Sequence, residues 1–229
     1  MTRWLAIVWL LIRKELRLEW RGRELVVLLA CNALFTAVLI GIGTSSAVLD
    51  RSTIGKIFPM LLWVAFILST LTSVSRSYEQ ELEGRAFEGL LLSGVTGSQM
   101  YLSKVAVAAA LFFLNFVLLV VVLSVALDQS LLLVWKELAV VGFFSSTALG
   151  SLVVLIGAIA STSKLRGMLA PLLALPLLFP LFFAGIEMTT ELVLRGAVDI
   201  AAVWPSLLLV VNAVFLVLGL NLYDFVVRD

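Results

Sequence analysis

Histidine is absent from the 229 residues. With it go the commonest general base, the commonest metal ligand and the usual haem ligand. A single cysteine, Cys31, sits inside an apolar run. It can build neither an intrachain disulfide nor a thiolate metal site, and it reads as a small buried hydrophobe. Charge is scarce as well, at 14% of residues and a net of +1. A nucleic-acid binder would be strongly basic, so no such partner is expected. The patterns G-x-x-x-x-G-K-[ST], H-E-x-x-H and G-x-S-x-G do not occur. The chain therefore lacks a Walker loop, a zincin helix and a nucleophile elbow, and it reads as non-catalytic.

What remains is apolar: 62% of residues are hydrophobic, with a mean hydropathy of +1.15. About 20 apolar residues cross a bilayer as a helix. Six stretches qualify, roughly 24–43, 57–75, 104–127, 138–160, 168–186 and 204–226. The fold class expected is all-α and integral to the membrane, a single domain over residues 1–229 with six transmembrane helices. An even number of spans puts both termini on one side. Twelve Lys and Arg residues fall on that side and four on the other, which directs the termini to the cytoplasm.

Residues 3–22 do not span. Trp4 to Ile12 is too short, no small-residue cleavage site follows, and Arg13-Lys14-Glu15-Leu16-Arg17 comes directly after it. Ile12, Leu16 and Trp20 form a stripe that Leu5, Val8 and Trp9 continue upstream, beside a stripe of Arg13, Arg17 and Arg21. This is the pattern of an amphipathic helix lying in the interface, arginines toward lipid headgroups. Glu15 and Glu19 fall inside the apolar stripe, where a carboxylate needs a partner. Either they snorkel or pair with adjacent arginines, or they meet a cation of another segment, Arg76 or Arg85, or of a partner subunit.

One charged interruption, Arg76 to Gly94, separates the second and third spans. Its acidic residues include Glu79, Glu81, Glu83 and Glu88. Phe87, Leu90 and Leu91 then stand at i, i+3 and i+4, one side of a short helix. An acidic lead-in followed by a leucine face at the membrane surface suits a grip by another protein.

Within the spans the polar residues are mild: Asn115, Asn212, Asn221, and Ser145, Ser146, Thr147 and Ser151. No span carries a central charge of the kind that ion-driven transporters use, so energy for transport would come from outside this chain. Gly142, Ser146, Gly150 and Gly157 stripe the fourth span and suit close helix packing or the lining of a path. The fifth span holds Pro171, Pro176 and Pro180. Pro176 and Pro180, four apart, concentrate the distortion on one face, as a static kink or as a hinge. Glu187, Glu191 and Asp199 read as a solvated loop at the far end, with an acid site as the alternative.

Six spans, an interfacial N-terminal helix and an acidic-then-leucine segment resemble the permease subunits of type-2 ABC exporters. More closely, the chain resembles the CcmB family, haem exporter protein B of cytochrome c maturation. The resemblance rests on Lys14-Glu-Leu-Arg-Leu-Glu-Trp-Arg-Gly-Arg-Glu24, on Phe58-Pro-Met-Leu-Leu-Trp-Val-Ala-Phe66 and on Phe87-Glu-Gly-Leu-Leu-Leu92. Lys164-Leu-Arg-Gly167 before the proline-rich span adds to it. Ser93-Gly94 stands where the family pattern has a proline, and Arg85 where a small residue is often found.

The resemblance implies a homodimer in the bacterial inner membrane, bound to two copies of a CcmA-like ATPase that carries ATP and Mg. CcmC- and CcmD-like membrane subunits and a CcmE-like periplasmic haem chaperone would complete it. It also implies that Glu81, Glu83, Phe87, Glu88, Leu90 and Leu91 couple to the ATPase. Haem would be a transient cargo, with no cofactor held stably by this chain. Export of another hydrophobic substrate, or a scaffold that only anchors partners, are the alternatives.

Overall fold

The computed structural model describes residues 2–22, 24–46, 50–83, 95–161 and 166–228. Among them all regular structure is helical: α1 (Thr2–Gly22), α2 (Glu24–Ser46), α3 (Arg51–Glu83), α4 (Gly97–Ala126), α5 (Trp135–Ser161), α6 (Arg166–Arg195) and α7 (Val203–Arg228). Helices α2 to α7 are the six long and apolar enough to cross a membrane. The expected all-α membrane fold is what the chain forms.

Three helices outrun the spans read from hydropathy. α3 continues past residue 75 to Glu83, α4 begins at Gly97 rather than 104, and α6 continues past 186 to Arg195. Hydropathy marks where a chain dissolves in lipid, whereas a helix continues until its backbone is capped. Gln99, in the first turn of α4, accepts a hydrogen bond from the Thr96 N–H at 3.0 Å. Gly196 ends α6 at φ +78, its N–H bonded to the Leu192 carbonyl at 3.0 Å, an αL cap. Asp50 caps α3, accepting from the Ser52 hydroxyl and from the Thr53 N–H. These bonds hold the exposed Asp50 carboxyl down to about 2, below the usual carboxylate value.

α5 is the centre of the bundle and packs on α4, α6 and α7, while α2 lies at the edge against α4 and α3. The buried share is 72% for the α5 span and 17% for the α2 span. Cys31 lies on the outer face of α2 and is exposed, not buried as its apolar neighbours suggested. Lipid and protein interior are equally apolar, so hydrophobicity does not tell an inward residue from an outward one.

Glycines let the helices approach. A Cβ on Gly142 would stand 2.3 Å from the Phe116 ring, and one on Gly150 would stand 3.0 Å from the Ala109 backbone N. The small-residue stripe is thus a packing surface between α5 and α4. The same device seats Trp63 of α3 over Gly185 of α6, where a Cβ would be 2.3 Å from the indole. Trp63, Phe66 and Phe116 cluster with ring centroids 5.2 to 5.7 Å apart, at the heart of the main core. Trp63 also donates from Nε1 to the Thr189 hydroxyl at 2.9 Å. Asn212 of α7 donates to the Phe144 carbonyl of α5 at 2.7 Å. The buried polar atoms Asn115 Nδ2, Ser145 Oγ and Ser146 Oγ have no hydrogen-bond partner among the described residues.

Candidate functional site

The charged side chains that the fold brings together lie at the end of the bundle where α4 starts and α7 finishes, here the terminal end. α1 packs there, mainly on α4 and less on α2. Its inward face runs through Val8 and Leu11, both buried, with Ile7, Ile12 and Glu15 partly covered. The expected stripe through Leu16 is displaced, since Leu16 is 41% exposed and Trp9 and Leu10 are more so. α1 has apolar residues on two sides, one for protein and one for lipid, and a helical wheel weights them alike.

Glu15 does lie on the inward face, as its place among apolar residues suggested. It stands within electrostatic reach of Lys104 on α4 and of Tyr223 on α7. Its neighbour Lys14 approaches it at 3.8 Å. Among the described residues Lys104 is a cation of another helix within electrostatic reach of Glu15, while the side chains of Arg76 and Arg85, the cations expected from the sequence, lie outside the description. Lys104, the first residue of the span read from hydropathy, lies about two turns inside α4. Below it a second apolar cluster joins Met100, Tyr101, Val105, Val154, Leu155, Ala158 and Tyr223. The Tyr101 and Tyr223 rings are 5.5 Å apart. The Tyr101 hydroxyl reaches the carbonyls of Ser151 and Phe215, each at 3.0 Å. Tyr101 fits because Gly219 of α7 leaves the space, where a Cβ would come within 1.9 Å of the ring. Three helices, α4, α5 and α7, are thereby tied at one level.

The family model for the CcmB protein matches residues 6–227, from α1 through α7. The chain belongs to the CcmB family. It is a membrane component of the ABC-type system for haem export and cytochrome c maturation, a permease-type subunit. No curated protein sequence matches it.

Of the residues that the CcmB resemblance marked for ATPase coupling, Glu81 and Glu83 lie on the last turn of α3. Phe87, Glu88, Leu90 and Leu91 lie outside the described residues, and so does Arg85. The helical backbone includes Glu19 and Arg76, but their side chains are outside the description. Pro176 and Pro180 both sit within continuous α6, Pro176 exposed and Pro180 half-buried. They precede Thr189, the residue that holds Trp63.

At the opposite end Glu187 and Glu191 belong to α6 rather than to a loop. Glu191 accepts from the Asp199 N–H at 3.1 Å and pairs with Arg195 at 3.9 Å. Asp199 accepts from the Ala201 N–H at 2.9 Å. These carboxylates tie a turn. Among the described residues no group of His, Cys, Asp and Glu could hold a metal ion.

Sequence reasoning did not single out Lys104, Tyr101, Tyr223 or the Trp63–Thr189 pair. Lone glycines inside apolar runs, such as Gly185 and Gly219, were the available sign of an aromatic on a neighbouring helix.

Proposed function

We propose that this chain is the transmembrane permease subunit through which a partner ATPase acts on haem delivery in cytochrome c maturation. Two copies would bind two CcmA-like ATPases, with CcmC- and CcmD-like subunits beside them in the bacterial inner membrane and both termini in the cytoplasm. The work done would be release of the haem-loaded, CcmE-like periplasmic chaperone. The observation that carries this reading is α3. It is one unbroken helix of 33 residues, about 50 Å at 1.5 Å per residue, against a hydrocarbon core of about 30 Å. Its apolar part is locked into the bundle at Trp63, Phe66 and Thr189. Its far part carries Glu79, Glu81 and Glu83 beyond the apolar stretch that ends near residue 75. Past Pro59, near its start, α3 has neither proline nor glycine, and such a helix, fixed in the core and projecting at one end, conveys movement made at that end.

In this reading Phe87, Leu90 and Leu91 insert into a groove of the ATPase, with Glu81, Glu83 and Glu88 facing basic residues at its rim. Buried apolar anchors dominate such contacts and rim charges tune them. Pro176 and Pro180 would let α6 yield as α3 moves. Leu91→Asp is expected to lose the ATPase on purification while the permease stays in the membrane. Full co-purification with full ATPase activity in that variant would overturn the reading.

The chain's part would be conformational, with haem a transient cargo and no cofactor of its own. The purified permease, given haem and freed of excess, is expected to show no stoichiometric haem absorption band. A tight stoichiometric band would move the haem site onto this subunit.

A further inference from the structure

On the outer side of α1, away from the buried Val8 and Leu11, stand Arg13, Lys14 and Arg17. Arg13 and Arg17 are exposed and form no ion pair among the described residues. Lys14 has only the long 3.8 Å approach to Glu15. An open cavity of about 320 Å³ runs along this face, lined by Leu10, Arg13, Lys14, Arg17 and Leu18. These positions are i, i+3, i+4, i+7 and i+8, a single helical face. Its two ends are apolar and its middle is cationic: Leu10 is 63% and Leu18 55% exposed.

The depth of this face follows from Glu15. α1 packs on α4, and Lys104 and Tyr223, within electrostatic reach of Glu15, lie within about two turns of the ends of their spans, so residues 13–17 stand near the level at which the spans end. At that level the surrounding anions are lipid phosphates and the surrounding apolar matter is acyl chain. Two guanidiniums four residues apart present forked donors that match a phosphate, and an ammonium stands between them. Leucines on either side match the chains below the headgroup.

We propose that the Arg13–Lys14–Arg17 face of α1 is a binding site for one anionic phospholipid. A headgroup phosphate bridges Arg13 and Arg17, and the acyl chains lie along Leu10 and Leu18. Three cations against one neutral headgroup leave an excess of charge, so the site selects a net-negative lipid over a zwitterionic one. The proposal rests on these residues alone and stands or falls apart from the coupling to an ATPase.

The test is native mass spectrometry of the full chain in detergent, titrated with phosphatidylglycerol or phosphatidylcholine. The unmodified chain is expected to retain one phosphatidylglycerol with about tenfold preference over phosphatidylcholine. Arg13→Gln/Arg17→Gln is expected to lose the preference. Lys56→Gln/Lys136→Gln, which removes two exposed cations at the opposite end, is expected to keep it. The single variants Arg13→Gln and Arg17→Gln, each expected to lose part of the preference, carry the test if the double variant does not fold. Equal retention of both lipids by the unmodified chain would overturn the proposal. So would an Arg13→Gln/Arg17→Gln variant that selects phosphatidylglycerol as the unmodified chain does.

Discussion

At mid-bundle α3, α4, α5 and α6 meet through rings set against glycines, with Trp63 over Gly185 and Phe116 over Gly142. At the terminal end α4 and α7 also meet through a ring on a glycine, Tyr101 over Gly219, and α1 is added at the edge with Glu15 within electrostatic reach of Lys104 and Tyr223. The middle is held by rings and one indole hydrogen bond, whereas the terminal end adds charge to them. Close packing of rings is nearly indifferent to salt, headgroup and partner, so it fixes the helices against one another. Charge at a bilayer surface is screened and can be re-paired by lipid or by another subunit. The middle therefore suits a fulcrum, and the terminal end suits a place where conditions are felt.

The sharpest break in this contrast lies at Gly185. Gly185→Val places methyl groups where the Trp63 indole stands, whereas at Gly43 nothing lies within 4 Å of a new Cβ. Gly185→Val is expected to lose about 3 kcal/mol or more, and Gly43→Val less than about 0.5. Thermal melting in detergent checks the pair. Equal losses at both sites would show that the glycine notches are not what holds the middle.

A smaller effect is expected from the Trp63–Thr189 hydrogen bond. Trp63→Phe leaves the Thr189 hydroxyl without its indole donor, at a loss of about 2 kcal/mol from that bond and the lost ring. Thr189→Val added to it is expected to cost little more, since the pair acts as a unit. Fully additive losses in the double-mutant cycle would deny the link between α3 and α6.

The terminal end should respond more weakly and with salt. Glu15→Gln is expected to lose about 1 kcal/mol at low ionic strength and less at high, because the Glu15 side chain is partly open to solvent. Salt-independent loss would place Glu15 with the middle rather than with the surface.

Smallest is the cap of α3. The Asp50 carboxyl titrates near 2 when folded, below its usual value of 3.8. Its stabilisation is thus complete above about pH 4 and fades as pH falls toward 2. Melting temperatures of the unmodified chain and Asp50→Asn should differ slightly near neutrality and converge in acid. A difference that grows on acidification would reverse the sign of this reading.

How much of this was legible beforehand divides along the same line. Six spans could be read because lipid solubility is a property of composition, and Gly142, Ser146 and Gly150 showed a packing face because small side chains admit a neighbour in any arrangement. The inward position of Glu15 was legible from its apolar neighbours. Its partner was not, because Lys104 lies some 90 positions along the chain and only folding brings the two near. Cys31 was misplaced because water does not decide what faces outward inside a bilayer. The start of α4 and the end of α6 were misjudged because caps at Thr96 and Gly196 set them, not hydropathy.

The account turns on α3 acting as a rod whose fulcrum is Trp63. The most direct measure is chaperone maturation per ATP hydrolysed by the complete complex carrying Trp63→Phe. ATPase binding should match the unmodified complex, since residues 84–94 are untouched, while maturation per ATP should fall about tenfold. A variant that binds the ATPase and matures the chaperone at the unmodified yield per ATP would contradict the claim that the stroke passes through Trp63.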